Sequence, residues 1–240
     1  MLDKYSETVT ALQHELEKEL ELRKKQYAYY RDYLLDFGDD VEWRTLGEIA
    51  TGFYRGSGIK RDELTENGTP CIRYGEIYTT YGIHFDKCVS YTDENNIKSK
   101  KYMEYGDILF AITGESVEDI AKSTVYIGKE KCLVGGDIVV MKHKQNPKYL
   151  SYALSTTNAR IQKSKGKIKS KVVHASLESI KQIKIPVPTI EEQERIVNIL
   201  DRFDTLCNDL TSGIPAEIEA RKKQYEYYRN KLLQFKIKNA

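Results

Sequence analysis

The chain has 240 residues, with 38 Lys and Arg against 36 Asp and Glu, a formal net charge of +2, 40% hydrophobic and 31% charged residues. These values suit one globular domain of ordinary size with helical flanks. They argue against a membrane protein, because no apolar run approaches the ~20 residues of a span, and the polar, helix-patterned start at 1–12 is unlike a signal peptide, so a cytoplasmic protein is expected.

Residues 1–37 carry apolar positions in three-and-four spacing: Leu2, Tyr5, Val9, Leu12 and Leu16, then Leu20, Tyr27, Tyr30, Leu34 and Phe37. The spacing predicts one long amphipathic helix of ~54 Å, at roughly 1.5 Å per residue, stopped by Gly38. After Val41 the period changes. Short β-like runs at 70–74, 76–78, 107–112, 124–127 and 137–141 alternate with turn residues up to Ile185, which predicts an α+β domain with a mixed, mainly antiparallel sheet. Two helices are expected inside it, one starting at Pro147 and a short one opened by Ser176. Ile185-Pro186-Val187-Pro188 reads as a stiff extended linker, and Thr189 as the cap of a helix with Glu192 three residues on. That helix presents Ile196, Leu200 and Phe203 on its seam and is interrupted at 212–215 before a last helix.

The last helix repeats the first. Arg-Lys-Lys-Gln-Tyr-Ala-Tyr-Tyr-Arg at 23–31 returns at 221–229 with Glu226 in place of Ala28, and the match runs ungapped at a constant offset of 198 residues. Its seam, Ile218, Tyr225, Tyr228, Leu232 and Phe235, invites another helix. Four cysteines at 71, 88, 132 and 207 lack CxxC spacing or a histidine companion, so free thiols and no structural zinc are expected. An enzyme site is hard to find: Gly56-Ser57-Gly58 lacks the third glycine of a dinucleotide loop, there is no Walker motif, and Asn146-Pro147-Lys148-Tyr149 reads as a helix start.

The run 185–197, Ile-Pro-Val-Pro-Thr-Ile-Glu-Glu-Gln-Glu-Arg-Ile-Val, followed by the Arg-Lys-Lys-Gln-Tyr-x-Tyr-Tyr-Arg helix, resembles the conserved region of the DNA-specificity (S) subunits of type I restriction-modification enzymes. Trp43-Arg44-Thr45-Leu46-Gly47-Glu48-Ile49 and Gly106-Asp107-Ile108-Leu109 resemble the family more loosely. The resemblance implies a target-recognition domain at 39–186 between conserved helices at 1–38 and 187–240 that form an antiparallel coiled-coil spacer. It implies a non-catalytic subunit that binds double-stranded DNA, docks methyltransferase (M) subunits and meets restriction/translocase (R) subunits through the complex. S-adenosylmethionine and ATP would sit in those partners, with no cofactor in this chain. A full-length family member has two recognition domains. This sequence has one, which implies a half-subunit pairing with a copy of itself, or with another half, to read a palindromic bipartite site. The subunit interface expected is the seam, Leu20 to Phe37 with Ile196, Leu200, Phe203 and Ile218 to Phe235.

DNA contacts are expected in two kinds of place. Residues 160–171 contain no acid, and in an extended chain Lys163, Lys165, Lys167, Lys169 and Lys171 share one side, suited to phosphates, with His174 nearby. Base readers are sought in three loops: Arg55, Ser57 and Lys60 among glycines; Arg73, Tyr74 and Glu76 beside Gly75, expected to kink a strand; and Thr113, Glu115 and Ser116. The rival reading is a helical scaffold whose tyrosines bind protein with no DNA reading. Such a scaffold gives no reason for the lysine run.

Overall fold

The computed structural model describes residues 2–165, 172–209 and 212–233. In chain order the elements are α1 (Leu2–Leu34), β1 (Trp43–Thr45), α2 (Leu46–Ile49), β2 (Ala50–Arg55), β3 (Leu64–Thr65), β4 (Thr69–Ile72), α3 (Tyr74–Thr79), β5 (His84–Phe85), β6 (Ser90–Thr92), β7 (Tyr102–Met103) and β8 (Ile108–Ala111). They continue with β9 (Thr113–Gly114), β10 (Ser123–Tyr126), β11 (Cys132–Val134), β12 (Ile138–His143), α4 (Pro147–Ser155), α5 (Thr157–Ser164), β13 (Val173–His174), α6 (Leu177–Lys181), β14 (Lys184–Pro186), α7 (Ile190–Asn208) and α8 (Ile214–Leu233). Two compact units result, Asp32–Val197 and Met1–Arg31 with Asn198–Ala240.

The larger unit is α+β, as expected. Two five-stranded sheets, in the orders β2-β12-β8-β10-β5 and β3-β6-β4-β11-β7, carry its core. Only the pairs β10–β5 and β11–β4 are parallel among the described strands. The reason is visible in composition: β8 (Ile-Leu-Phe-Ala) and β10 (Ser-Thr-Val-Tyr) are buried at every position, which suits central strands covered on both faces. Ile72, Ile77, Leu109, Val134 and Val140, all fully buried, join the two sheets in one cluster. Burying each such side chain contributes roughly 1.5–3 kcal/mol before entropy is counted.

Helix starts follow local chemistry. Asn146 Oδ1 accepts from Tyr149 N–H at 3.1 Å to open α4, and Ser176 Oγ accepts from Ser179 N–H at 3.1 Å to open α6. The helix α1 ends at Leu34, short of the expected stop at Gly38; Gly38, at φ +54°, instead shapes the turn that follows, where Asp40 N–H donates to Phe37 O at 3.1 Å.

Two expectations are corrected. The run 73–78 is not a strand: Tyr74–Thr79 is α3, because the Glu76 carboxylate reaches back to the Arg73 N–H at 3.0 Å and closes the first helical turn. Nor is 185–188 merely a linker. Lys184–Pro186 forms β14, antiparallel to β1, with Ile185 and Pro186 buried and Val187 N–H bonded to Glu42 O at 3.0 Å. Beyond it, the fully buried Gln193 side chain accepts from Asn146 N–H at 3.0 Å and donates to Gln145 Oε1 at 2.8 Å and Pro188 O at 2.9 Å, tying the start of α7 to the start of α4.

In the helical unit Tyr27 is buried, Tyr30 stacks on Phe203 with ring centroids 5.4 Å apart, and burial, with Asp204 next, raises the Tyr27 phenol above its usual range. The repeat extends to its ion pairs. Glu21–Lys25 and Glu19–Arg23 on α1 have counterparts in Glu219–Lys223 and Glu217–Arg221 on α8, all at i,i+4 spacing. Among the described residues no helix is long and apolar enough to cross a membrane.

Candidate nucleic-acid interface

At the end of β2 the chain leaves the sheet through Gly56. Its N–H donates to Ile138 O at 2.9 Å, the Ser57 N–H donates to Val134 O at 3.0 Å, and a Cβ at position 56 would collide with the carbonyl oxygens of Val134 and Gly135. The loop is therefore pressed onto the 135–137 turn. That turn is fastened in its own right to β4, since Gly135 N–H bonds Ile72 O at 2.8 Å. Between the two loops and the first turn of α3 lies an open cleft of about 470 Å³, with Gly58, Arg73, Tyr74, Glu76 and Asp137 among its lining. The first two expected loops thus meet in one place. The third wall, 135–137, reads in sequence only as the start of a strand; Gly135-Gly136-Asp137 is the available signal of a turn.

Of the side chains at and beside the cleft, Tyr74 in its lining and Lys60 on the adjoining loop are exposed, and Arg55, outside the lining, pairs with Asp137, which sits at φ +61°. Two readers named from sequence are corrected. Glu76 is only 6% exposed, and its carboxylate accepts from Ser90 Oγ (2.6 Å), Arg73 N–H (3.0 Å) and Arg73 Nε (3.2 Å), so it is committed inside the protein and unavailable to a cytosine. The Ser57 hydroxyl oxygen is buried without a hydrogen-bond partner and does not reach a base edge.

The third loop adjoins the same region. Ile112 N–H donates to Asp137 O at 2.9 Å, and Tyr78 of α3 donates to Ala111 O at 3.3 Å while lying against Gly114. From there β9 pairs with β13, and Thr113 Oγ and His174 Nδ1 are 3.1 Å apart. Glu115 is exposed, whereas Ser116 donates to Glu118 Oε2 at 2.6 Å within a tight turn.

The lysine run starts differently from expectation. Lys163 lies in α5, is 7% exposed, and donates to Leu154 O (2.8 Å) and Ser123 Oγ (3.0 Å) with Phe110 alongside at 5.9 Å. Burial pushes its ammonium down to about 7. It is a core lysine, not a phosphate contact. Lys165 is exposed; Lys167, Lys169 and Lys171 lie outside the described residues. The four cysteines are free and buried, and among the described residues no cluster of His, Cys, Asp and Glu is arranged to hold a metal.

Residues 38–220 match the family model described as the type I restriction modification DNA specificity domain. The chain belongs to that family. It is 37% identical over 242 residues to the EcoR124I/EcoR124II specificity subunit of Escherichia coli, an alignment covering 98% of this chain and 58% of that protein. It is 31% identical over 242 residues to the putative specificity subunit S.MpnORF201P of Mycoplasma pneumoniae, covering 92% of this chain and 90% of that one. The chain thus spans between about half and nearly all of the length of the curated relatives it matches. In fold it is similar to a chain of a solved type I R-M system (TM-score 0.68, 16% identity, 96% of this chain and 56% of that chain) and to the HsdS subunit of Thermoanaerobacter tengcongensis (TM-score 0.59, 16% identity, 94% and 55%). The cleft of this chain holds an arginine, an aromatic ring and two carboxylates already engaged by arginines of the protein.

In this specificity chain the expected seam is buried to differing degrees. Tyr27, Ile196, Leu200 and Ile218 are buried, Leu20, Leu34, Phe37, Phe203 and Tyr225 are half-buried, and Tyr30 and Tyr228 are 37% and 42% exposed. The Leu232 side chain and Phe235 lie outside what is described. The tyrosines that the sequence marks as candidate interface residues include two exposed ring pairs. Tyr29–Tyr30 meet edge-on with centroids 5.5 Å apart at 75°, and the repeat-equivalent Tyr227–Tyr228 do so at 5.3 Å and 76°.

Proposed function

We propose that the Asp32–Val197 unit reads one half of a bipartite DNA target and that the helical unit serves as spacer and docks methyltransferase subunits, through which restriction subunits join. The observation that carries DNA reading is the cleft, where loops far apart in sequence converge on an exposed tyrosine and an arginine with unsatisfied donors. Phosphate contacts are assigned to Lys165, Lys167, Lys169 and Lys171, with His174 and Thr113 at the edge of the reading surface. Replacing Lys165, Lys167 and Lys169 by alanine is expected to weaken binding to every duplex and to flatten the salt dependence by about 0.9 in log–log slope for each phosphate that is no longer neutralised. Unchanged affinity and slope would remove the lysine run from the interface.

The repeat supports pairing with a second copy, since one reading unit is bracketed by two copies of the same helical unit. Two-fold pairing requires a palindromic site whose half-sites lie about one helical turn apart. Light scattering on the purified chain, alone and with its methyltransferase subunit, tests this: a dimer that takes up methyltransferase supports it, and a monomer that stays monomeric in the assembled complex refutes it.

A further inference from the structure

We infer that Arg73 reads a guanine in the target, with Glu76 as its positioning residue; this rests on the DNA-reading role proposed above and names the base read at that site. The Arg73 guanidinium is held by one edge. Its Nε donates to Glu76 Oε1 at 3.2 Å, and that carboxylate is in turn fixed by Ser90 Oγ at 2.6 Å and by the Arg73 N–H at 3.0 Å. Three donors on a carboxylate that is 6% exposed leave it one orientation, so the arginine is pre-set before any ligand arrives. Its two Nη groups have no partner among the described residues, and the side chain is 33% exposed within the cleft.

A guanidinium clamped at Nε offers its remaining N–H groups as a planar fork. In the major groove that fork matches the two acceptors of guanine, O6 and N7; adenine sets a donor beside its N7, thymine offers one acceptor, and cytosine presents a donor. A phosphate could take the same fork. The lining does not separate the two by charge, since Glu76 and Asp137 are themselves paired with Arg73 and Arg55; the Arg73→Lys variant below does. Access is open as well: the Arg73 side chain is 33% exposed, and a Cβ built on Gly58 or Gly75 of the lining would meet nothing within 4 Å.

The test is selection from a duplex library with randomised positions, using the full chain assembled with its methyltransferase subunit. Wild type is compared with Arg73→Ala, Arg73→Lys and Glu76→Gln, each checked for folding by circular dichroism. The wild-type target is expected to contain a G·C pair at which Arg73→Ala and Arg73→Lys each lose roughly 5- to 150-fold discrimination while other positions keep theirs. Lysine keeps the charge without the fork, so a phosphate contact would survive Arg73→Lys, whereas a guanine contact made by the Glu76-held fork would lose discrimination at its G·C pair. Glu76→Gln is expected to relax the same position and no other. Uniform weakening of all sequences by Arg73→Ala, or an unchanged selected target, would overturn the assignment. A wild type that enriches no sequence would overturn the DNA-reading role itself, and the assignment with it.

Discussion

Lys163 shows how far one side chain can depart from its composition. Five lysines at alternate positions suggest a charged ribbon, yet the first of them faces inward, because α5 carries that position against Phe110 and Ser123. Its pKa falls to about 7 in the folded chain, below the ordinary lysine value of ~10.4. Between those two values the unfolded chain binds more protons, so this residue makes stability rise with pH through that window, and its cost is fully present below pH 7. Lys163→Met removes the dependence. The difference in unfolding free energy between wild type and variant, measured by urea titration at about pH 7.5, 8.5 and 9.5, should change in favour of wild type by up to about 1.4 kcal/mol per pH unit. Parallel curves would put the ammonium in water.

At the scale of elements, the cleft depends on how closely β2 approaches the turn before β12. A Cβ on Gly56 would strike the carbonyls of that turn, whereas one on Gly58 meets nothing within 4 Å. Gly56→Ala should therefore cost roughly 1–3 kcal/mol through forced backbone movement, and Gly58→Ala should stay within about 0.5 kcal/mol, as read by chemical unfolding. Equal effects would mean that the loop is not clamped. The same elements mark what is legible in sequence. The period of α1, the buried runs of β8, β10 and β12, and the caps of α4 and α6 are local signals, and each appears where the pattern places it. The α3 turn reads wrongly in sequence because 70–74 and 76–78 look like short β-rich runs kinked at Gly75, whereas the carboxylate of Glu76 returning to the Arg73 N–H closes a helical turn. Likewise, nothing near Ile185 announces that Trp43–Thr45, far back in the chain, will pair with it. The site follows the same rule: which loops carry charge and glycine can be read, but which carboxylate is consumed internally is fixed by Ser90, a tertiary neighbour.

For the whole molecule, the consequence of the repeat is that it displays the same aromatic feature twice. Tyr29 and Tyr227 are 65% and 60% exposed at equivalent positions, each with its ring edge-on to the next tyrosine. Rigid rings of that size, left in water on two helices, are costly unless covered, and tyrosine is favoured at the centres of interfaces. If these pairs receive methyltransferase subunits, as proposed, they act as two equivalent seats. Tyr29→Ala and Tyr227→Ala should each weaken uptake at one seat, roughly 30-fold for a residue of hot-spot strength, and the double variant should lose both. Native mass spectrometry of the assembled complex would show the methyltransferase count per specificity chain fall stepwise through the two single variants and the double, while circular dichroism stays constant. A double variant that assembles like wild type would move docking elsewhere on the helices and leave the twin tyrosine pairs as a trace of the repeat alone.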